Sequence, residues 1–418
     1  MILTGLILLV LALLGAPLYT IIAASAMAGF YRSEIDLSLI GIEFFGLAEM
    51  PILVAIPLFT FAGFILSESQ SPQRLVRLSQ ALLGWLPGGL AIVCLATCAL
   101  FTAFTGASGV TIIALGALFY PALSTAGYDS RFSLGLITTS GSLGLLFAPS
   151  LPLILYGVVA MASIDDLFLA GIFPGLLMVV MLSVYSFWVN RRNRTSLAEA
   201  STAEVLASIR DSAWELPLPI VVLGGIYSGY FAVSEAAAVT ALYVLIVEVL
   251  VRKEIPWADL PRIMRESMVL VGAIFMILGM SLASTNYMIY AGVPEQLFAF
   301  VDSYVAGPGT FLLALIVFLL MLGAILDIFS AIVLVVPLIL PIAAQYGIHP
   351  IHLGILFLAT MELGYLTPPV GLNLFISSFR FDRSIADIYR ATLPFFVVLL
   401  VSVFIIAYWP SLSLVLVE

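Results

Sequence analysis

Long apolar blocks separated by short polar or charged stretches fill this chain from its first residues to its last. Each is near the roughly 20 residues that a helix needs to cross a bilayer. The first block starts Met1-Ile-Leu-Thr-Gly-Leu-Ile-Leu-Leu-Val and continues past Ala28, without the basic start or the A-x-A exit of a cleavable signal, so it is expected to stay as a first spanning helix. Further spans are expected at about 167–189, 217–233, 235–251, 267–290 and 392–410. Segments 133–160 and 352–377 are also long enough to cross, but each is interrupted. The interruptions read Gly144-Leu-Leu-Phe-Ala-Pro149-Ser150 and Gly364-Tyr-Leu-Thr-Pro368-Pro369-Val-Gly371. Proline removes an amide donor and glycine loosens the backbone, so both helices should unwind there and expose carbonyls.

The two interruptions belong to a repeat. Pro121, Gly127, Gly144 and Pro149 match Pro341, Gly347, Gly364 and Pro369 at a constant offset of 220. Inside a membrane, unwound backbone is tolerated only where protein buries it or where it lines a cavity. Matching broken helices in two halves point to a transporter's binding site.

Composition agrees. Hydrophobic residues make up 63% of the 418, charged residues 9%, and the mean hydropathy is +1.21. A soluble domain has no room to hide that much apolar surface, so the chain is an all-α polytopic membrane protein. A net charge of -9 and the lack of a basic run argue against a nucleic-acid partner.

The arginines set the topology. Arg191, Arg192 and Arg194, then Arg252 with Lys253, then Arg262 and Arg265 belong on the cytoplasmic side, as do Arg74, Arg77, Arg131, Arg380, Arg383 and Arg390. Of the 15 Lys and Arg residues only Arg32 then falls outside, with the N-terminus cytoplasmic and the C-terminus periplasmic. Parity makes segments 87–124 and 309–346 begin and end on one side each. Each could be two full spans, but the leg after Gly106–Gly109 is only about 15 residues to Pro121, short against the roughly 20 needed to cross, so re-entrant hairpins are the preferred reading, with tips at Gly106-Ala-Ser-Gly109 and Ile325-Leu-Asp-Ile-Phe-Ser330. They enter from opposite faces, which makes the repeat inverted and suits alternating access. The expected division is 1–86 scaffold, 87–165 first transport repeat, 166–308 scaffold with a linker, 309–378 second transport repeat and 379–418 a C-terminal helix.

A carrier of this design holds its cargo with helix N-termini and its cation with carbonyls and hydroxyls. The first-half candidates are Gly106, Ser108, Gly109 and Thr111 at the tip, with Ser140, Ser142, Gly144, Pro149 and Ser150 along the broken helix. The second half offers Asp327, Ser330, Thr360, Gly364, Thr367, Pro368, Gly371 and Asn373. Among these, Ser108, Gly144, Asp327, Gly364 and Thr367 are the Na⁺ candidates. Small and hydroxyl residues also pack helices in lipid, but packing does not explain the inverted spacing. Asp327 and Glu362 are carboxylates at membrane depth, and each could bind a cation, carry a proton or only hydrogen-bond. No Lys or Arg lies in a span core, so an anionic cargo would need helix ends and bound cations for balance, which suggests cation coupling.

Other features carry less. Cys94 and Cys98 share one helical face as small core residues. His349 and His352 lack a third ligand nearby for a metal. Segments 196–215 and 37–48 read as amphipathic helices at the membrane surface. No catalytic motif is present, so an enzyme is not expected, and no cofactor beyond Na⁺ is called for.

The stretches Ala55-Ile-Pro-Leu-Phe-Thr-Phe-Ala-Gly63, Leu83-Gly-Trp-Leu-Pro-Gly-Gly-Leu90, Thr105-Gly-Ala-Ser-Gly109, Gly127-Tyr-Asp129, Ala148-Pro-Ser150 with Ile154-Leu-Tyr-Gly157, and Gly364–Gly371 resemble the large membrane subunit of TRAP (tripartite ATP-independent periplasmic) transporters of the C4-dicarboxylate type. The resemblance covers nearly the whole chain. It implies an elevator-type importer of organic acids in the bacterial inner membrane, driven by a Na⁺ gradient. It also implies a separate four-helix (Q-type) membrane subunit and a periplasmic (P-type) substrate-binding protein. The family's Pro-Pro-Ser is Ala148-Pro149-Ser150 here, and its Ser-Gly-Ser type of tip is Gly106-Ala-Ser-Gly109. Substrate and ion ratio therefore do not transfer from the family. The competing reading is a stand-alone cation–carboxylate symporter.

Overall fold

The structure, a computed structural model, describes residues 2–85, 88–191, 201–305 and 307–417; Arg192, Arg194 and the start of the 196–215 segment lie outside that set. The described residues are helical, and 7 helices are long and apolar enough to cross a membrane, or 8 with the bent pair Ser130–Leu146 and Leu151–Ala160 counted as one span.

Hairpin 1 consists of Gly89–Thr105 and Ser108–Thr125, and hairpin 2 of Pro308–Gly323 and Ile328–Gln345. Each is followed by a broken helix: 1a (Ser130–Ser140, continued by a 3₁₀ turn Leu143–Leu146) with 1b (Leu151–Ala160), and 2a (Pro350–Gly364) with 2b (Leu372–Phe381). The first break bends by 44°. Ala148–Pro149 and Pro368–Pro369 are both cis, at the 220 offset.

The repeat extends well beyond the hairpins. Before them, Leu18–Arg32, Pro51–Glu68 and Ser71–Leu83 correspond to Val233–Val251, Leu260–Tyr290 and Val293–Asp302. After them, Ile164–Asn190 corresponds to Ile385–Tyr408, and the side chains of Ser163 and Ser384 cap the two starts on the amides of Asp166 and Asp387. The offset rises to 221 here because the second break is one residue longer.

Packing exchanges partners between the halves. Leu18–Arg32 packs on Leu260–Tyr290, while Val233–Leu245 packs on Ala55–Glu68. The second arm of hairpin 2 packs on helix 1b, and the second arm of hairpin 1 on helix 2b. Each first arm stays with its own half, on the break of 1a or on 2a. Such reciprocal exchange is what a two-fold relation between repeats produces.

Both hairpins stop half-way along the broken helices. Leu151, the start of 1b, sits against the tip glycine Gly106, whose φ is +64°. At the other tip, the Ala324 carbonyl accepts from the Val370 and Gly371 amides in the second break (3.1 and 3.0 Å). The second arms, Ser108–Thr125 and Ile328–Gln345, run through Pro121 and Pro341 for 18 residues each, longer than the leg expected to end at Pro121, and both count among the 7 helices long enough to cross; their tips nevertheless meet the middle of the broken helices.

Three boundaries differ from the hydropathy reading. The first apolar block is two helices, Ile2–Leu13 and Leu18–Arg32, because Gly15 turns left-handed (φ +86°) and Pro17 has no amide to continue the ladder. The segment expected at 217–233 is helical only over Pro217–Tyr227 and ends at Ser228 and a left-handed Gly229. Leu260–Tyr290, at 31 residues, begins earlier than its apolar core and carries Arg262 and Arg265 on its first turns.

Several arginines gather at one end through ion pairs. Arg262 pairs with Glu68 (3.0 Å), and Arg77 with Glu204 (2.8 Å) and Asp211. Arg74 is buried among Glu215, Glu248 and Glu254. These contacts bring 68–77, 204–215 and 248–266 together on the face assigned to the cytoplasm.

Candidate substrate and ion site

The residues singled out at the tips and breaks converge, although not all of their polar groups face a common space. In the first half, the Thr102 hydroxyl is the hub. It lies 2.7 Å from the Thr111 hydroxyl and donates to the Gly141 carbonyl (3.0 Å) and the Cys98 carbonyl (2.7 Å). Both arms of hairpin 1 are thereby tied to the break of helix 1. Ser108 is buried at the N-terminus of the second arm. A methyl on Gly109 would lie 2.7 Å from Ile376 of helix 2b, so the tip also meets the other half.

Gly144 has no room for a side chain: a methyl there would lie 2.5 Å from both Thr102 Cβ and the Ala103 amide. The Gly144 carbonyl accepts from Phe147 (3.0 Å), and its counterpart Gly364 accepts from the Thr367 amide (3.0 Å) and hydroxyl (2.6 Å). Ser142 accepts from the Asn373 amide (3.3 Å), which also donates to the Thr138 carbonyl (3.2 Å). Asn373 therefore joins helix 2b to the first broken helix.

Two expected groups turn away. The hydroxyls of Ser140 and Thr360, equivalent across the repeat, bond to the Ile137 and Leu356 carbonyls of their own helices (3.1 and 2.7 Å). Neither aims at the breaks, because a buried hydroxyl inside a helix is most readily satisfied by a carbonyl one turn back. Pro368 and Pro369 are exposed, whereas Pro149 and Ser150 are buried. The extra residue in the second break lets that loop bulge outward, and left-handed Gly371 (φ +54°) closes it onto Ala324.

Asp327 caps the second arm of hairpin 2. Its carboxylate accepts from the Phe329 and Ser330 amides (3.0 and 3.1 Å) and from the Ser330 hydroxyl (2.5 Å). Those oxygens are hard ligands of the kind that suit an alkali cation, and they also give the carboxylate a purely structural role. The buried Tyr365 hydroxyl accepts from the Ile328 amide beside it (2.6 Å). Thr102 and Thr138 escape a reading of the sequence because a hydroxyl in an apolar run is common, whereas Tyr365 stands inside the Gly364–Gly371 interruption and only its hydrogen bond needed the structure.

Helices 1b and 2b begin at the breaks with no side-chain cap. Nearby, the Ser150 hydroxyl and the Asn373 carbonyl oxygen are buried without a hydrogen-bond partner among the described residues, as are both oxygens of Glu362. His349 and His352 do not converge on a metal: His349 caps the Ile351 amide, and His352 lies 3.1 Å from the Ser413 hydroxyl. Cys94 and Cys98 are buried thiols, with Cys94 against Ser140 (3.8 Å).

A family model described as "Tripartite ATP-independent periplasmic transporter, DctM component" matches residues 6–412. The chain belongs to the DctM family of TRAP large permeases. The C4-dicarboxylate TRAP transporter large permease protein DctM of Pseudomonas aeruginosa is 34% identical over 378 residues, covering 90% of this chain and 88% of that protein. The ectoine/5-hydroxyectoine TRAP transporter large permease protein UehC of Ruegeria pomeroyi is 33% identical over 414 residues, 98% of this chain and 96% of that one. The isethionate TRAP transporter permease protein DctMQ of Oleidesulfovibrio alaskensis is 32% identical over 401 residues, which are 96% of this chain and 62% of that protein. The fold also matches the YdaH transporter of Alcanivorax borkumensis, described as having an unusual topology, with a TM-score of 0.57 at 15% identity over 90% of this chain and 87% of that one. These relatives are transporter permeases rather than enzymes. This DctM-family chain is thus the large, multi-pass permease of a tripartite transport system.

Proposed function

We propose that this permease imports small organic acids across the bacterial inner membrane, driven by a Na⁺ gradient and supplied by a periplasmic binding protein. A small four-helix membrane subunit completes the complex. The observation that carries the reading is the pair of uncapped helix N-termini at the breaks, beside a buried Ser150 hydroxyl and Asn373 oxygen that have no partner among the described residues. Helix N-termini hold anions, and the hydroxyl adds a donor. Relatives named for C4-dicarboxylate, ectoine and isethionate transport support small organic solutes as the cargo.

In this reading the hairpins and broken helices (87–165 and 309–378) move together as an elevator. Segments 1–86 and 166–308 form the scaffold, and 379–418 is the C-terminal helix. Ser108, Gly144, Asp327, Gly364 and Thr367 supply oxygens to Na⁺, while the 1b and 2b N-termini face the carboxylate. Cation and substrate then complete one another's site, which couples the two. The N-terminus is cytoplasmic and the C-terminus periplasmic.

Uptake into proteoliposomes tests this. With binding protein and small subunit present, an imposed inward Na⁺ gradient should drive radiolabelled organic-acid uptake, and a K⁺ gradient should not. Uptake by this chain alone at the same rate would replace the proposal with a stand-alone symporter.

A further inference from the structure

We propose that the permease holds an anionic phospholipid in a groove on its cytoplasmic face, between the surface helix Thr202–Asp211 and the start of Pro217–Tyr227. The surface helix is docked on one side by the Arg77 pairs with Glu204 and Asp211, and it packs on Ser71–Leu83. Its other side carries Leu206 and Ile209, 70% and 40% exposed, followed by Ala213 in an i, i+3, i+7 stripe. Exposed Ile220 and Val221 face them across a cavity of about 340 Å³. The lining is apolar except for Arg210.

Three observations select a lipid with an anionic head. Arg210 is exposed and makes no ion pair among the described residues, although both acidic residues of its helix are already neutralised by Arg77. It lies at the end of the protein where the arginines gather, and the carbonyl of the next residue, Asp211, accepts from Arg252. The rest of the lining, from Leu206 and Ile209 to Leu216, Ile220 and Val221, is a continuous apolar wall beside Arg210. A phosphate on Arg210 with an acyl chain lying in the groove between Leu206, Ile209 and Ile220, Val221 matches this pairing of a charged mouth with an apolar wall. Basic residues at the inner leaflet attract anionic lipid by the same electrostatics.

Tryptophan quenching by phosphatidylglycerol with brominated chains, on the full-length protein in neutral detergent, tests the proposal. Trp214 stands between the lining residues Ala213 and Leu216 and is 41% exposed, so the quenching that disappears in W214F reports this groove. Brominated phosphatidylglycerol should quench that component at about five-fold lower lipid than brominated phosphatidylcholine. R210Q should move the phosphatidylglycerol curve onto the phosphatidylcholine curve, and R210K should leave it in place. Leu206→Glu, which sets a charge in the groove, should abolish quenching by both. Equal quenching by the two lipids, or an unchanged R210Q curve, would overturn the site. So would displacement of the lipid by free glycerol phosphate, or the absence of any W214F-sensitive quenching by either lipid.

Discussion

Gly323, near the end of the first arm of hairpin 2, meets Gly364 at the end of helix 2a backbone to backbone. A methyl group on Gly364 would lie 2.7 Å from the Gly323 Cα, and one on Gly323 would lie 3.0 Å from the Gly364 Cα. Subtracting 220 gives Ala103 and Gly144, where a methyl on Gly144 would lie 2.5 Å from the Ala103 amide. Both halves therefore bring a hairpin arm onto a broken helix at one equivalent point, with glycine on the broken helix each time.

Gly364→Ala should destabilise the protein by about 1–3 kcal/mol, because backbone rather than a movable side chain opposes the new methyl. Thermal melting in detergent measures it. Gly347→Ala, where nothing lies within 4 Å but φ is +74°, is the control for backbone strain alone.

Thr102→Val keeps the shape and removes the hydroxyl shared by Thr111, Gly141 and Cys98. A loss of about 1–3 kcal/mol is expected from the unpaired Gly141 and Thr111 groups, with Thr102→Ser restoring most of it. Melting curves of the two variants side by side decide this.

Asp327→Ala removes a helix cap and should cost about 0.5–2 kcal/mol. Asn is an equally good cap, so Asp327→Asn should keep the stability and raise the Na⁺ concentration needed for half-maximal uptake. Uptake titrated with Na⁺ reads the second effect. An unchanged Na⁺ curve would leave Asp327 as a cap alone.

Arg74→Gln strands buried Glu215 and Glu248 and should cost about 3–5 kcal/mol. Melting temperature should also depend on pH. Burial pushes the Glu254 carboxyl up, but hydrogen bonds from Arg74 and the Gln70 amide outweigh it and hold it below its ordinary value. A carboxylate depressed on folding contributes stability above its unfolded pKa, about 4.3, and loses it as pH falls through the lower folded value. Melting between about pH 6 and pH 3 should show that loss in the wild type, and much less of it in Arg74→Gln.

Much of this architecture can be read from residue order. Gly144, Pro149, Gly364 and Pro369 mark where helices unwind. Asp327 stands out as a carboxylate at depth, although its place as a cap needs the folded structure. The repeat beyond the hairpins is not visible in the residues, because Ser163 and Ser384 lie at an offset of 221 and the matching helices share only apolar character. Thr102 and Gly323 give no signal either, since a hydroxyl or a glycine in an apolar run is common.

The chain order alone marked the two breaks, the hairpin tips and most of the long apolar helices, because these follow from local backbone chemistry and the cost of exposing polar groups to lipid. Tertiary structure decided which helices exchange partners across the halves. It also decided that Ser140 and Thr360 turn inward to their own helices, and that the second break bulges while the first stays buried. Those outcomes depend on side chains far apart in the chain meeting in space, which no local pattern specifies.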